Sequence, residues 1–291
     1  MPSNNLPPRE DKYVIDPENA TEMARLINQH ILVTKYMGGL LPQEVDISPM
    51  TSVLDLACGP GGWVLDVAYA YPGKEIVGVD ISQIMVDYAR ARAWSQGLDN
   101  ARFHLMNILK PFDFPDHSFD FVNARFLVGV LSPGDWPALI QECKRVLRPG
   151  GILRLTDVDD LGISNSAALE QLTTLGTSAV RQAGRAFFSQ GRNVGTMVML
   201  GRFLREAGLQ DIHQQAHMID WSAGTETFAM QYDNARIALH LGRPFLLGLG
   251  VLSGERFDEL YQQALIEMSG ADFCAVMVFL TAWGRVNMPV T

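Results

Sequence analysis

The chain has 291 residues, with 32 acids against 23 bases and a formal net charge of −9. Its 47% apolar and 19% charged residues exclude a disordered or collagen-like chain, and no apolar run approaches the ~20 residues that span a bilayer. At roughly 150 residues per domain the length suits one large domain or two small ones; either buries enough surface to need no disulfides. The five lysines (Lys12, Lys35, Lys74, Lys110, Lys144) are scattered. Without a basic stripe to neutralise phosphates, no nucleic-acid partner is expected. Cys58, Cys143 and Cys274 are few and odd in number, which fits a reduced cytoplasm and offers no CxxC pair for zinc. The opening MPSNNLPPREDKY has no apolar stretch or cleavage site of a secretory signal.

Residues 1–12 are polar and Pro-rich, which predicts a mobile lead. Asp16-Pro17 reads as a helix start, with Asp16 as N-cap. Apolar positions Met23, Leu26, Ile27 and Ile31 continue that helix to Tyr36-Met37, where Gly38-Gly39 stops it. From residue 51 strands and helices alternate. Strands are expected at 51–57, Glu75–Asp80, 102–106, from Phe119, and at Ile152–Asp157; helices are expected at 63–71, at Gln83–Ser95 capped by Ser82, and at 135–147. Beyond 160 the pattern reads as helices over 167–174, 179–188, 194–200 and 202–207, then a strand over 212–221. Two or three helices broken at Pro244 and Gly248–Gly250 follow, and a last strand over 273–281. This predicts an α/β fold with a parallel sheet wound on both faces, plus helical lid insertions. The expected division is an N-terminal helical cap (1–50), a core (51–160), a helical insertion (161–200), a core helix and strand (201–221), a helical lid (222–272) and a final strand with its tail (273–291).

The most informative stretch is Val53-Leu54-Asp55-Leu56-Ala57-Cys58-Gly59-Pro60-Gly61-Gly62. A strand empties into a glycine turn that opens a helix, which lets a ligand approach backbone N–H groups. Asp80 ends the next strand at a spacing close to the ~20 residues expected of a ribose-binding acid. A carboxylate there can accept from both vicinal ribose hydroxyls. Val64 breaks a dinucleotide GxGxxG pattern, and no Lys-Ser or Lys-Thr pair makes a phosphate loop. Asp55 would repel a diphosphate and attract a cation. A ribose-bearing ligand with positive charge and no phosphate is S-adenosylmethionine.

Four ordered motifs carry a family resemblance: Asp-Leu-Ala-Cys-Gly-Pro-Gly (55–61), Val-Gly-Val-Asp-Ile-Ser (77–82), Phe-Pro-Asp-His-Ser-Phe-Asp (114–120) and Arg-Val-Leu-Arg-Pro-Gly-Gly (145–151). Together they resemble class I S-adenosylmethionine-dependent methyltransferases, in the branch of quinone-biosynthesis and natural-product enzymes, and the resemblance implies a Rossmann-like doubly wound sheet, mostly parallel with a final antiparallel strand. Val-Asn-Ala-Arg-Phe-Leu-Val-Gly (122–129) with Asp135-Trp136 also resembles fungal secondary-metabolism regulators of that fold. The resemblance implies that Asp55 orients the methionine ammonium and that Gly59 and Gly61 let the backbone pass the cofactor. It implies that Asp80 holds the ribose, Ile81 packs on the adenine, and Asn107 and Ile108 meet the adenine edge. Ala124 and Arg125 would face the methionyl group, with Arg125 clamping its carboxylate. Ala57 stands where many members carry glycine, and Asn107 where Asp is commoner.

The implied reaction is an in-line methyl transfer to a small, largely apolar or aromatic molecule, with S-adenosylhomocysteine as product and the O, N or C acceptor left open. The alternative is a cofactor-binding regulator or scaffold that transfers no methyl. Candidate bases are Tyr36, His30, His104, His217, Tyr232 and His240, of which Tyr36 and His30 on the first helix are preferred. The acids Asp157, Asp159 and Asp160 read as a solvated loop, so no metal is expected. Phe187, Phe188, Met197, Met199, Phe228, Met230, Tyr232, Phe245 and Leu246 are expected to line the acceptor pocket, with a homodimer contact as their other use.

Overall fold

In the computed structural model residues 14–287 are described, so the expected mobile lead over 1–12 lies outside the described residues. The first helix, α1 (Ala20–Tyr36), is capped by Asn19, whose side chain accepts from the N–H of Thr21 at 2.8 Å and of Glu22 at 3.4 Å. It therefore begins later than the Asp16-Pro17 signal suggested. Asp16 instead closes a turn on the Glu18 N–H at 3.1 Å, because either side chain can supply the acceptor a helix start needs. Residues 38–50 form a packed connection, burying Val45, Ile47 and Met50.

The core then runs β1 (Ser52–Leu56), α2 (Gly62–Ala70), β2 (Glu75–Asp80), α3 (Gln83–Ser95), β3 (Ala101–Leu105), β4 (Phe119–Arg125), α4 (Trp136–Val146) and β5 (Leu147–Val158). The second half is β6 (Ile163–Ser164), α5 (Ala167–Gln182), α6 (Thr196–Glu206), β7 (Gln210–Asp220), α7 (Phe228–Gly248), α8 (Gly254–Met268) and β8 (Ala275–Arg285). Strand order is β3-β2-β1-β4-β5-β8, with β7 on the far side of β8 and the short β6 paired to its start. The strands β1 to β5 pair in parallel, while β8 runs antiparallel to β5, β6 and β7. The expected mixed sheet is present.

Side chains alternate across a strand, and this splits the core in two. Leu54, Leu56, Val122, Ala124, Leu153 and Leu155 face α4 and α6. Val53, Phe121 and Ile152 face the other way, toward Trp63 and Val64 of α2 and Val86 and Ala89 of α3. A third cluster joins α1, α5, α7 and α8 to the first half of β8, making a helical roof over one end of the sheet.

Several helices run on where the sequence suggested breaks. The expected helix 167–174 and the start of the one expected at 179–188 are the single α5, whose buried stripe Leu169, Leu172, Thr173, Thr177 carries through Gly176; it ends at Gln182, so 183–188 is not helical. Those expected at 194–200 and 202–207 are one helix, α6, which buries Leu200, Phe203 and Leu204; the expected domain boundary at 200 falls inside it. α7 continues through Pro244. Proline cannot donate to the carbonyl four residues back, but Pro244 is exposed, while Leu239 and Leu246 on either side are buried in the same roof cluster.

Candidate functional site

The C-terminal ends of β1, β2 and β4 open on a cavity of about 420 Å³, roofed by residues of α1, α5 and α7. In an open α/β sheet this edge is where ligands bind. The glycine turn between β1 and α2 forms the floor. Ala57 and Gly59 hold φ of 51° and 53° there, a left-handed conformation that glycine takes freely and alanine adopts at a cost of about 1–2 kcal/mol.

Asp80, at the end of β2, lines the cavity. Its two carboxylate oxygens accept from the Gly59 N–H at 2.7 Å and the Ser82 N–H at 2.9 Å. One side chain thus fixes both the glycine turn and the start of α3. Burial raises its pKa, against the pull of the Ser82 and Gly59 N–H groups. Each carboxylate oxygen can still accept a second hydrogen. Beside it the cavity is lined by Ile81, Met85, Asn107 and Ile108. Asn107 Oδ1 accepts from the Leu109 N–H at 2.9 Å.

Asp55, on β1, is buried, and Asn123 Nδ2 of β4 donates to its Oδ1 at 2.6 Å. Desolvation pushes its pKa up to about 6, against the opposing pull of Arg125, Asn123 and Arg154. Arg125 is half-buried at the end of β4 and donates toward Thr34 Oγ1 at 3.5 Å and His30 Nδ1 at 3.1 Å. A guanidinium has only donors, so His30 Nδ1 must accept and Nε2–H donates to Asp66 at 2.8 Å. His30 is therefore a neutral histidine whose two nitrogens are both engaged. Burial, then the nearby guanidinium, holds its pKa below the ordinary value despite Asp66.

Asp55, Ala57, Gly59, Asp80, Ile81, Asn107, Ile108, Arg125 and His30 all line the one cavity. Ala124, Gly61 and Tyr36 do not. Ala124 is one residue out of phase with Asn123 and Arg125, so it faces the α4–α6 side of the sheet. Gly61 serves packing: a Cβ there would sit 2.7 Å from the Phe103 ring and 2.8 Å from Ala89 Cβ. The Tyr36 hydroxyl donates to exposed Glu226 at 3.3 Å, which also takes Lys35 at 2.7 Å.

The other expected bases also lie elsewhere. His104 and His240 are exposed, while His217 is buried against Phe279 with its Nε2 at 3.0 Å from Thr281 Oγ1. Tyr232 packs in the roof cluster. Of the expected pocket residues only Phe245 and Leu246 reach the cavity. Phe187 and Met199 pack against the α4–α6 core, Phe228 and Met230 against the roof, and Phe188 is exposed. Met197 contributes its N–H to Asp159 Oδ1 at 3.0 Å. Asp157 accepts the N–H groups of Leu127, Val128 and Val158, and Asp160 those of Gly162 and the cation of Arg192. Those acids organise the strand end.

Sequence reasoning missed Asn123, Arg154 and Phe126. Phe126 lines the cavity with φ of 58°, a strained conformation for a bulky residue that marks many functional sites; nothing in its local sequence signals it. Away from the carboxylates the walls are mostly apolar: Val33, Val128, Leu172, Val180, Leu239 and Phe245 among them.

Residues 53–151 match the family of methyltransferase domains. Methyltransferase str3 of Strobilurus tenacellus is 30% identical over 155 residues, covering 53% of this chain and 52% of that protein. Methyltransferase pytC of Aspergillus terreus is 32% identical over 159 residues, covering 53% and 44%. The chain thus spans about half the length of these curated relatives. A demethylmenaquinone methyltransferase of Geobacillus stearothermophilus is 30% identical over 111 residues, covering 38% of this chain and 46% of that one. Among solved structures, the YcgJ protein of Bacillus subtilis aligns with a TM-score of 0.52 at 16% identity, covering 89% of this chain and 98% of that one. Phosphoethanolamine N-methyltransferase 2 of Haemonchus contortus, solved with S-adenosylhomocysteine, aligns at 0.50 and 17% identity, covering 92% and 57%. These two likenesses are of fold.

Proposed function

We propose, from the premise that residues 53–151 belong to the class I S-adenosylmethionine-dependent methyltransferase family, that this chain transfers a methyl group to a small, largely apolar or aromatic molecule. One observation carries the reading: a single cavity holds two buried carboxylates, Asp55 and Asp80, at its strand-end floor and apolar side chains over most of the rest. The donor set fits the cofactor. Asp80 can accept from vicinal hydroxyls, Asp55 can accept from an ammonium, and Arg125, with no carboxylate among the described residues at ion-pair distance, can clamp one. Ile81, Asn107 and Ile108 would flank the adenine.

When bound, S-adenosylmethionine supplies an electrophilic methyl on a sulfonium, displaced in line by the acceptor. The protein's part is to orient both reactants and exclude water. The roof of α1, α5 and α7 does the second, and Arg125 with Asp55 the first. Neither Tyr36, outside the cavity, nor neutral His30, with both nitrogens engaged, is placed to take a proton from the acceptor.

We assign the protein to the cytoplasm on its three free thiols and to small-molecule rather than nucleic-acid chemistry on its acidic balance. No helix among the described residues is long and apolar enough to cross a membrane. Calorimetric titration with S-adenosylhomocysteine tests the cofactor. A panel of phenols, quinones and amines, scored for S-adenosylhomocysteine release, tests the transfer. Failure of S-adenosylhomocysteine to bind would remove the proposal.

A further inference from the structure

Directly beneath the cavity, three side chains form a row across the sheet. Asp55 of β1 pairs in register with Asn123 of β4, and Asn123 with Arg154 of β5. All three point to the same face, the one covered by α2. Arg154 has no exposed surface, and no carboxylate among the described residues pairs with it. Its Nε donates to Asn123 Oδ1 at 2.7 Å and one terminal nitrogen to the Leu40 carbonyl at 2.7 Å. The other terminal nitrogen is buried without a partner among the described residues. The guanidinium lies beside the stacked rings of Trp63 and Phe121, 5.1 and 5.5 Å from their centres. Leu40 also accepts from Trp63 Nε1 at 2.9 Å, so the arginine is rigidly boxed.

Burying a cation without a counter-ion is costly, and its burial pushes the Arg154 pKa down to about 9. An apolar residue would fill the position at less cost, as Leu153 and Leu155 do on either side. What arginine brings is polarity. It can only donate, so the Asn123 amide must turn its oxygen to β5 and its NH2 to β1. Asp55 then meets a donor at 2.6 Å, and its Oδ1 is held as an acceptor. The remaining oxygen is left for the cavity.

We propose that Arg154 is a positioning residue that acts through Asn123 to hold Asp55 as an oriented anion toward the cofactor. This rests on the cofactor reading above. The charged groups that face Asp55 are Arg125 from β4 and Arg154 from β5, which favour the anion, and Asp80 from β2, which opposes it. Cys58 in the glycine turn is kept a neutral thiol by burial. His30 of α1 and Asp66 of α2 bear on Arg125.

The test is a pair of variants, Arg154→Met and Arg154→Gln, the second retaining a neutral donor for Asn123 if the first folds poorly. S-adenosylhomocysteine affinity is measured by calorimetry from pH 5 to 8. In the wild type it falls as pH drops through about 6, where Asp55 takes up a proton. In Arg154→Met that midpoint moves upward by about one unit, costing roughly twofold in affinity near pH 7 and approaching tenfold toward pH 5, with recovery toward pH 8. Arg154→Gln falls between. A merely structural arginine would weaken binding by the same factor at every pH, and that result, or an unmoved midpoint, overturns the proposal. Thermal melts of the ligand-free variants across the same range read the Asp55 titration without cofactor, with Asp55→Asn as the blank. An upward-shifted melt profile in protein that binds no S-adenosylhomocysteine would uphold the coupling of Arg154 to Asp55 and overturn the cofactor reading alone.

Discussion

Asp80→Asn separates the two duties of that carboxylate. In the wild type its oxygens accept from the Gly59 and Ser82 N–H groups at 2.7 and 2.9 Å. An amide offers one oxygen, so one of those donors faces an NH2 instead. Leaving a buried donor unsatisfied costs about 1–3 kcal/mol, partly offset by removal of a buried charge whose pKa burial raises, so the ligand-free variant should melt lower and lose at most that much stability. The second duty, in the function proposed above, is holding the ribose. Hydrogen bonds to a charged group contribute about 1.5–3 kcal/mol, so S-adenosylhomocysteine should bind roughly 10- to 150-fold more weakly. Isothermal titration calorimetry of both proteins, with circular dichroism melts beside it, gives the two numbers independently. A variant that melts lower yet binds S-adenosylhomocysteine with wild-type affinity would refute the ribose assignment and leave Asp80 as a turn-fixing residue only.

Three further expectations follow from the same geometry. The folded pKa of Asp55 is raised to about 6 by burial, so its charge is a penalty absent below the unfolded value near 4 and fully present above about 6. Asp55→Asn should therefore stabilise the ligand-free protein at pH 7–8, with the gain vanishing on acidification to pH 4 in melts run across that range. Gly61→Ala should destabilise the fold by roughly 2–5 kcal/mol, from the left-handed φ and the overlap with Phe103. Denaturant unfolding of the ligand-free variant checks it, and a native-like midpoint would contradict the packing role. Tyr36→Phe should leave turnover with any acceptor found unchanged, because the hydroxyl meets Glu226 outside the cavity; a large drop in kcat would return Tyr36 to the site.

What was legible in the sequence was what local chemistry dictates. Gln83–Ser95 with its Ser82 cap and Glu75–Asp80 match the observed elements, because a capping hydroxyl and a buried β-rich run act within a few residues. The cavity floor was equally legible, since a strand-turn-helix unit brings Asp55, Gly59 and Asp80 together whatever surrounds them. The second half resisted for the opposite reason. Whether Gly176 or Pro244 ends a helix is decided by the roof cluster that buries Leu172, Thr177, Leu239 and Leu246, a contact between distant segments. Strand phase explains the remaining errors. Knowing that Asn123 and Arg125 share the face of Asp55 would have excluded Ala124 at once, but register is a property of the paired sheet. It would also have exposed Arg154, visible in the sequence as one charge inside the apolar run Ile152-Leu153-Arg154-Leu155. Its significance comes only from lying in line with Asn123 and Asp55, where a row of three side chains converts a costly buried cation into control over one carboxylate.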